Sequence, residues 1–194
     1  MKLIFDYLLA IFGLVALSPL FILISILIKL TSKGPILYTQ PRIGRFSKVF
    51  TIIKFRSMTT NHGDSNTITV AGDMRITKFG SFLRKYKLDE LPALLNIING
   101  DMSFVGPRPD LPGYADNLEG EDRKILELRP GITGLASLKY ANEEEILSQK
   151  KDPFKFHDEV IYPDKIRLNL DYYYNNNLWI DIKIIFATIF RIGY

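Results

Sequence analysis

No cysteine occurs among the 194 residues, which excludes a disulfide scaffold, thiolate zinc sites and thiol catalysis in one step and fits a chain that faces the cytoplasm. The chain also lacks a P-loop and a dinucleotide fingerprint. It has no internal repeat, heptad array or low-complexity tract. Charge, too, is missing from one long stretch: from Tyr7 to Ile28, "YLLAIFGLVALSPLFILISILI", roughly 22 positions carry none. That is about the length a bilayer core demands of a helix.

The length supports one compact domain with appendages and not two independent domains. The formal net charge of +4 points to an anionic partner: nucleic acid, a phosphorylated small molecule or an acidic membrane surface. Charge alone does not choose among them. The apolar run is too long for a signal peptide, and no small-residue cleavage site follows it. Ser18 and Pro19 sit near its middle, where proline removes a backbone donor and clashes with the preceding turn, so a kink or break is expected. The serine hydroxyl can satisfy a carbonyl freed there. A kinked span and a helix that enters and leaves on one face both fit. Lys2 lies before the run and Lys29 and Lys33 after it, which is compatible with both ends facing the cytoplasm.

After Gly34-Pro35 come two β-prone runs, "ILYTQ" (36–40) and "VFTIIKFRSM" (49–58), joined by a polar turn around "PRIGRFSK", which predicts a hairpin or small sheet. Residues 59–75 are rich in turn formers and read as a mobile loop. In "TKFGSFLRKYK", Phe79, Phe82, Leu83 and Tyr86 fall on one helical face, leaving Arg84, Lys85 and Lys87 presented. In "DELPALLNIING", Leu91, Leu94, Leu95 and Ile98 repeat that spacing; Pro92 sets a start close to Asp89, and Gly100 stops the helix. The segments "GDMSFVGPRPDLPGY" and "RPGITG" read as rigid loops carrying arginines, a usual setting for ligand contacts. The C-terminal part predicts a helix from about Asp164 and an apolar one from about Leu178. Trp179, Phe186, Phe190, Arg191 and Tyr194 suit a membrane interface, and a core helix fits equally well.

Asp89 and Glu90 stand just after Lys78, Arg84, Lys85 and Lys87. Local pattern leaves two readings open. In one, Asp89 caps a helix and Glu90 complements its positive end, worth about 1 kcal/mol. In the other, the helix start and the basic groups keep Asp89 ionised within reach of a bound phosphate, toward which a carboxylate is a competent nucleophile. A divalent cation would reduce the repulsion between two anions, and magnesium is the usual choice. Lys54, Arg56, Arg84, Arg108 and Arg129 are the candidates for stabilising the transition state, because each lies in or beside a motif.

Six segments, in order, carry a resemblance: "SP" (18–19), "QPRIG" (40–44), "KFRSM" (54–58), "LDELP" (88–92), "NGDMSFVGPRP" (99–109) and "RPGITG" (129–134). Over nearly its whole length the chain resembles the bacterial sugar transferase family, the small monotopic phosphoglycosyl transferases. The resemblance implies a mainly helical α+β protein, with a re-entrant membrane helix over 1–30 broken at Ser-Pro and a membrane-associated catalytic domain over 31–194. It implies the cytoplasmic face of the bacterial inner membrane as its place. It further implies a ping-pong reaction between a UDP-sugar donor and a polyprenyl phosphate acceptor. Asp89 would be the nucleophile, Glu90 its partner, and magnesium would bind at Asp89. Lys54, Arg84 and Arg108 fall on the family's basic positions and would contact phosphate; Arg56 and Arg129 are further substrate-binding candidates.

Two positions depart from the family pattern: "KLIFD" has Leu3 where arginine is common, and Leu135 follows "RPGITG" where tryptophan is common. Residues 139–165 match no shared pattern, and His157 and the acidic run there read as surface groups. A sugar transferase that releases UDP commonly carries an Asp-x-Asp motif, absent here. The other alternative is a non-catalytic membrane-anchored module whose basic face holds nucleic acid or anionic lipid; a single-strand binder would interleave its basic residues with stacking aromatics, and this chain does not.

Overall fold

The computed structural model describes residues 1–59 and 73–190. Most of the predicted loop over 59–75, together with Arg191 and Tyr194, lies outside the described residues. Pro19 decides the first feature of the fold. Helix α1 (Lys2–Ala16) and helix α2 (Ser18–Thr31) meet at Leu17 with a bend of 61°. The carbonyl deprived by the missing proline N–H belongs to Val15, four residues earlier, and the Ser18 hydroxyl donates to it at 2.8 Å. Among the described residues no single helix is long and apolar enough to cross a membrane, although the bent pair together has that length and composition.

Each of these helices buries one face. Ala10 of α1 packs with Ile52, Ala93, Leu94, Ile97 and Met102, while Ile24 and Ile28 of α2 pack with Phe55 and Leu83. The opposite faces leave Ile4, Leu8, Phe12 and Val15 on α1, and Ile22, Leu23, Ile26 and Leu30 on α2, exposed. A soluble surface would carry polar groups at such positions.

The predicted hairpin is present as β1 (Leu37–Ile43) and β2 (Val49–Phe55), antiparallel from Leu37 opposite Phe55 to Ile43 opposite Val49. Strand β1 runs through Pro41 and Arg42, which the sequence reading had assigned to the turn. In a two-stranded sheet the N–H of an edge residue can face away from the ladder, so proline is tolerated. The turn is the shorter stretch between Gly44 and Lys48. Helix α3 (Lys78–Lys85) begins where the Thr77 hydroxyl accepts from the Gly80 N–H at 2.8 Å. A Cβ on Gly80 would stand 1.9 Å from the Ser57 carbonyl oxygen, so glycine is what lets α3 lie against the end of the hairpin.

The expected single helix over 89–98 is two pieces. Leu88–Ala93 form a 3-10 helix entered through Lys87 in a left-handed conformation (φ 56°), and only Leu94–Ile98 form helix α4. Pro92 lies inside the 3-10 segment and not at a helix start. Gly100, at φ 83°, ends α4 as the spacing predicts. Asn96 ties α4 to the hairpin: its Oδ1 accepts from the Ile53 N–H at 3.0 Å and its Nδ2 donates to the Thr51 carbonyl at 2.7 Å.

The two proline- and glycine-rich segments are more ordered than loops. Ser103–Val105 (β3) and Gly131–Thr133 (β4) pair in parallel, and a Cβ on Gly131 would meet the Gly106 nitrogen at 2.2 Å. The chain then forms α5 (Leu135–Lys139), α6 (Glu143–Ser148) and α7 (Pro153–Phe156). A π-helical turn over His157–Ile161 leads into α8 (Tyr162–Asn175), two residues earlier than expected, and α9 is Leu178–Phe190. Asp181, Ile184 and Ala187 bury one face of α9, and Trp179, Phe186, Ile189 and Phe190 expose the other. The architecture is mainly helical α+β, as expected, with two small sheets.

Replacing Asn96 with leucine, close in size, leaves the part-buried Ile53 N–H and Thr51 C=O without their side-chain partner. Stability should fall by about 2 kcal/mol, read from denaturant or thermal unfolding in detergent. A variant within about 0.5 kcal/mol of the parent would show that this tie does not hold the hairpin.

Candidate active site

Three elements converge on the acidic pair. The 3-10 helix supplies Asp89 and Glu90, strand β2 supplies Lys54 and the Gly106-Pro107-Arg108 turn after β3 supplies Arg108. Asp89 is 7 % exposed and Glu90 8 %. Glu90 receives the Lys54 ammonium at 2.8 Å and a forked contact from Arg108, at 2.5 Å and 3.3 Å. Asp89, by contrast, has a buried Oδ1 that accepts no hydrogen bond. It caps no helix. The capping interpretation of the pair therefore fails on geometry.

The electrostatics divide the pair in the same way. Burial pushes Glu90 up, but the charges of Arg108 and Lys54 outweigh it and hold the carboxyl well below the ordinary glutamate range. Burial raises Asp89, and the charge of Glu90 raises it further, against Lys54, Arg84 and Arg108. Burial lowers Lys54 in spite of its partner Glu90. Glu90, beside Arg108, raises that guanidinium.

The other sequence candidates fall in different places. Arg84 acts on the charge of Asp89 yet pairs through Nη2 with Glu144 of α6, and its Nε is buried without a partner. It is half-buried and not simply presented. Arg56 is buried at the end of α2, where Nη2 donates to the Ser32 carbonyl and hydroxyl, each at 2.8 Å. Arg129 makes no side-chain hydrogen bond or ion pair among the described residues, and its carbonyl lies against Gly106. The structure thus gathers Lys54, Arg84 and Arg108 around the pair, and it does not bring Arg56 or Arg129 into contact with it.

Sequence reasoning passed over Arg42, although it lies in the quoted "QPRIG". It lines a water-sized cavity of about 10 Å³ with Lys54, Glu90 and Arg108. Its guanidinium donates to the Pro109 carbonyl and to Gln40, and burial, with the nearby Arg108 charge, lowers its pKa. The reading of His157 and the acidic run as surface groups also needs correction. His157 is buried, with Nδ1 at 2.8 Å from Asp158 and Nε2 at 3.6 Å from Glu143, which itself pairs with Lys165 at 2.7 Å. No periodic signal marks Glu143 and Glu144 as partners of distant cations, because the contacts join segments far apart in the chain.

No cluster of three acidic or histidine side chains fit to hold a metal ion exists among the described residues. Among the described residues Asp89 Oδ1 is the buried carboxylate oxygen left without a partner.

The family model for bacterial sugar transferases matches residues 1–193. UDP-N-acetylgalactosamine-undecaprenyl-phosphate N-acetylgalactosaminephosphotransferase of Aeromonas hydrophila is 35 % identical over 192 residues, 95 % of this chain and 41 % of that protein. UDP-glucose:undecaprenyl-phosphate glucose-1-phosphate transferase of Escherichia coli is 34 % identical over 96 % of this chain and 39 % of its own length. The exopolysaccharide production protein ExoY of Sinorhizobium fredii is 38 % identical, covering 95 % of this chain and 82 % of that protein. The chain thus spans about two fifths of the length of the first two of these relatives.

Glu90→Gln should lower stability at pH 7 in metal-free buffer by about 2 to 3 kcal/mol, less than for a wholly buried pair because Arg108 is 43 % exposed. The depressed carboxyl of Glu90 contributes fully above the ordinary value of 4.5 and loses its contribution as the pH falls through the lower folded value. The gap between parent and variant should therefore be constant from neutral pH down to about that value and close only in stronger acid. A gap that closes on raising the pH would contradict this assignment of charge.

Proposed function

This chain belongs to the bacterial sugar transferase family, and on that premise we propose that it moves a sugar 1-phosphate from a UDP-sugar to polyprenyl (undecaprenyl) phosphate, releasing UMP. The names of its relatives support the general reaction; they differ in the sugar, so the reading stops at UDP-sugars as a class. The observation that carries it is the unpartnered, buried oxygen of Asp89 beside a glutamate that holds two cations.

In the first half-reaction an Asp89 oxygen attacks the sugar-bearing phosphorus. The bridging P–O bond breaks, and its electron pair leaves with UMP, giving a phosphosugar on the carboxylate. In the second, an oxygen of polyprenyl phosphate attacks the same phosphorus. The bond to Asp89 breaks, and the carboxylate is restored. Both nucleophiles react as anions, so neither half-reaction needs a base to remove a proton once Asp89 is ionised, a state that Lys54, Arg84 and Arg108 favour against burial and Glu90. Glu90 keeps Lys54 and Arg108 in place without neutralising Asp89. Arg108 and Arg84 meet the phosphate oxygens, where fixed positive charge stabilises the transition state.

Magnesium is part of the proposal. The unpartnered oxygen of Asp89 suits a cation that takes one carboxylate and draws its other ligands from substrate phosphate and water. Bound there, magnesium would supply charge neutralisation between carboxylate and phosphate.

The exposed apolar faces of α1, α2 and α9 suit a bilayer, and the 61° bend suits a helix pair that enters and returns on the cytoplasmic side. A lipid-borne acceptor would then approach the site from the membrane plane.

Incubation with a UDP-sugar and magnesium, without acceptor, should add one phosphosugar to the intact mass, and Asp89→Asn should abolish the adduct. The same adduct yield in the variant would remove Asp89 from the role. For topology, cysteines introduced by Leu3→Cys and Lys33→Cys have no native cysteine background and should both react only from the cytoplasmic face. Labelling from opposite faces would make the segment a span.

A further inference from the structure

Arg84 stands close enough to Asp89 to act on its charge, yet among the described residues the two form no hydrogen bond or ion pair. Asp89 keeps a buried oxygen free while a cation waits beside it. Two like arrangements explain why. Lys54 and Arg108 are drawn away by Glu90, and the Nη2 of Arg84 is drawn away by Glu144, 60 residues on along the chain, in helix α6. Glu144 grips one end of the guanidinium and leaves its buried Nε–H without an acceptor. A planar fork fixed at one end presents its remaining donors in a set direction, as phosphate recognition requires.

We propose that Glu144 is a positioning residue, which holds Arg84 beside Asp89 and prevents it from closing onto that carboxylate. The proposal rests on the transferase reading, in which a free Asp89 oxygen is the nucleophile. Of the other carboxylates on whose charge Arg84 acts, Asp73 is already paired with Arg75, which leaves Asp89. A bidentate pair with Asp89 would occupy the attacking oxygen and withdraw the guanidinium from substrate. The segment carrying Glu144 is itself braced, because Glu143 pairs with Lys165 at 2.7 Å and Tyr140 donates to Asp164 at 2.8 Å. Glu144 is 43 % exposed, so it remains wet enough to be repositioned without collapse of α6.

Glu144→Gln should reduce kcat for UMP release about ten-fold with KM within about two-fold, and Glu144→Asp should recover most of the loss. In an Arg84→Gln background, Glu144→Gln should cost nothing more. A second measurement needs no turnover. Thermal melts of the cycle Asp89→Asn, Arg84→Gln and the double variant should show little coupling with Glu144 present, and a coupling of about 2 °C or more once Glu144 is glutamine. A lower KM with unchanged kcat in Glu144→Gln would mean that the carboxylate merely competes with phosphate and would overturn the proposal. Additive losses with Arg84→Gln, or equal coupling in both backgrounds, would overturn it too. If the parent protein turns over no UDP-sugar, the transferase reading fails, while the thermal cycle still decides whether Glu144 holds Arg84 off Asp89.

Discussion

The contact of Glu90 with Lys54 and Arg108 is the constraint on which the rest of the molecule depends. It joins three segments that share no local sequence relation: the second strand of the hairpin, the 3-10 helix and the turn that follows β3. Each is held to its position by a separate device. Asn96 ties the hairpin to α4, the close approach of Gly106 and Gly131 fixes the turn before Arg108, and the left-handed Lys87 starts the 3-10 helix. Two cations and one carboxylate in a largely dry place would be costly if any member were misplaced, so the fold has to over-determine all three.

The same reasoning extends to the N-terminus. Lys2 and Asp6 lie one turn apart on α1 and both reach the β3 region. The Lys2 ammonium contacts Asp181 at 2.6 Å and donates to the Val105 carbonyl at 3.1 Å; the Asp6 carboxylate accepts from the Ser103 hydroxyl at 2.8 Å. The apolar outer face of α1 is thus joined by polar groups on its inner face to the strand that delivers Arg108. In "KLIFD" it is Lys2 and Asp6 that make these contacts, and Leu3 takes no part in them.

Much of this was legible in the sequence because it follows from short-range rules. Pro19 and Ser18 announce the break, the two β-prone runs on either side of the polar "PRIGRFSK" announce the hairpin, and Gly100 marks the end of α4. What was not legible depends on distant partners. Arg56 and Lys54 sit two residues apart in one motif, but only Lys54 reaches the acidic pair; Arg56 is taken up by Ser32 at the end of α2. Arg42 was hidden in a strand that looked like a turn. Glu144 looked like one of three surface glutamates, and only the ion pair that Arg84 makes across to α6 gives it a partner. Pattern finds the residue types that chemistry needs, and packing decides which copy of each type is used.

The acidic pair itself illustrates the point most clearly. On an α-helix neighbouring side chains diverge by about 100°, and in the tighter 3-10 form by about 120°. Adjacent carboxylates on such a segment cannot serve the same atom, and here they do not. The divergence turns Glu90 toward Lys54 and Arg108 and leaves one Asp89 oxygen unclaimed. Had a regular helix begun just after Asp89, with Pro92 in its first turn, Asp89 would have capped it, and its oxygen would have been spent on backbone N–H groups. Instead the proline lies inside the 3-10 turn. A carboxylate that is buried, uncapped and unpaired among cations is an unfavourable arrangement for stability alone. Its cost makes sense where an anionic ligand with its own cation completes the site, and this ties the local geometry at Asp89 to the chemistry of phosphate.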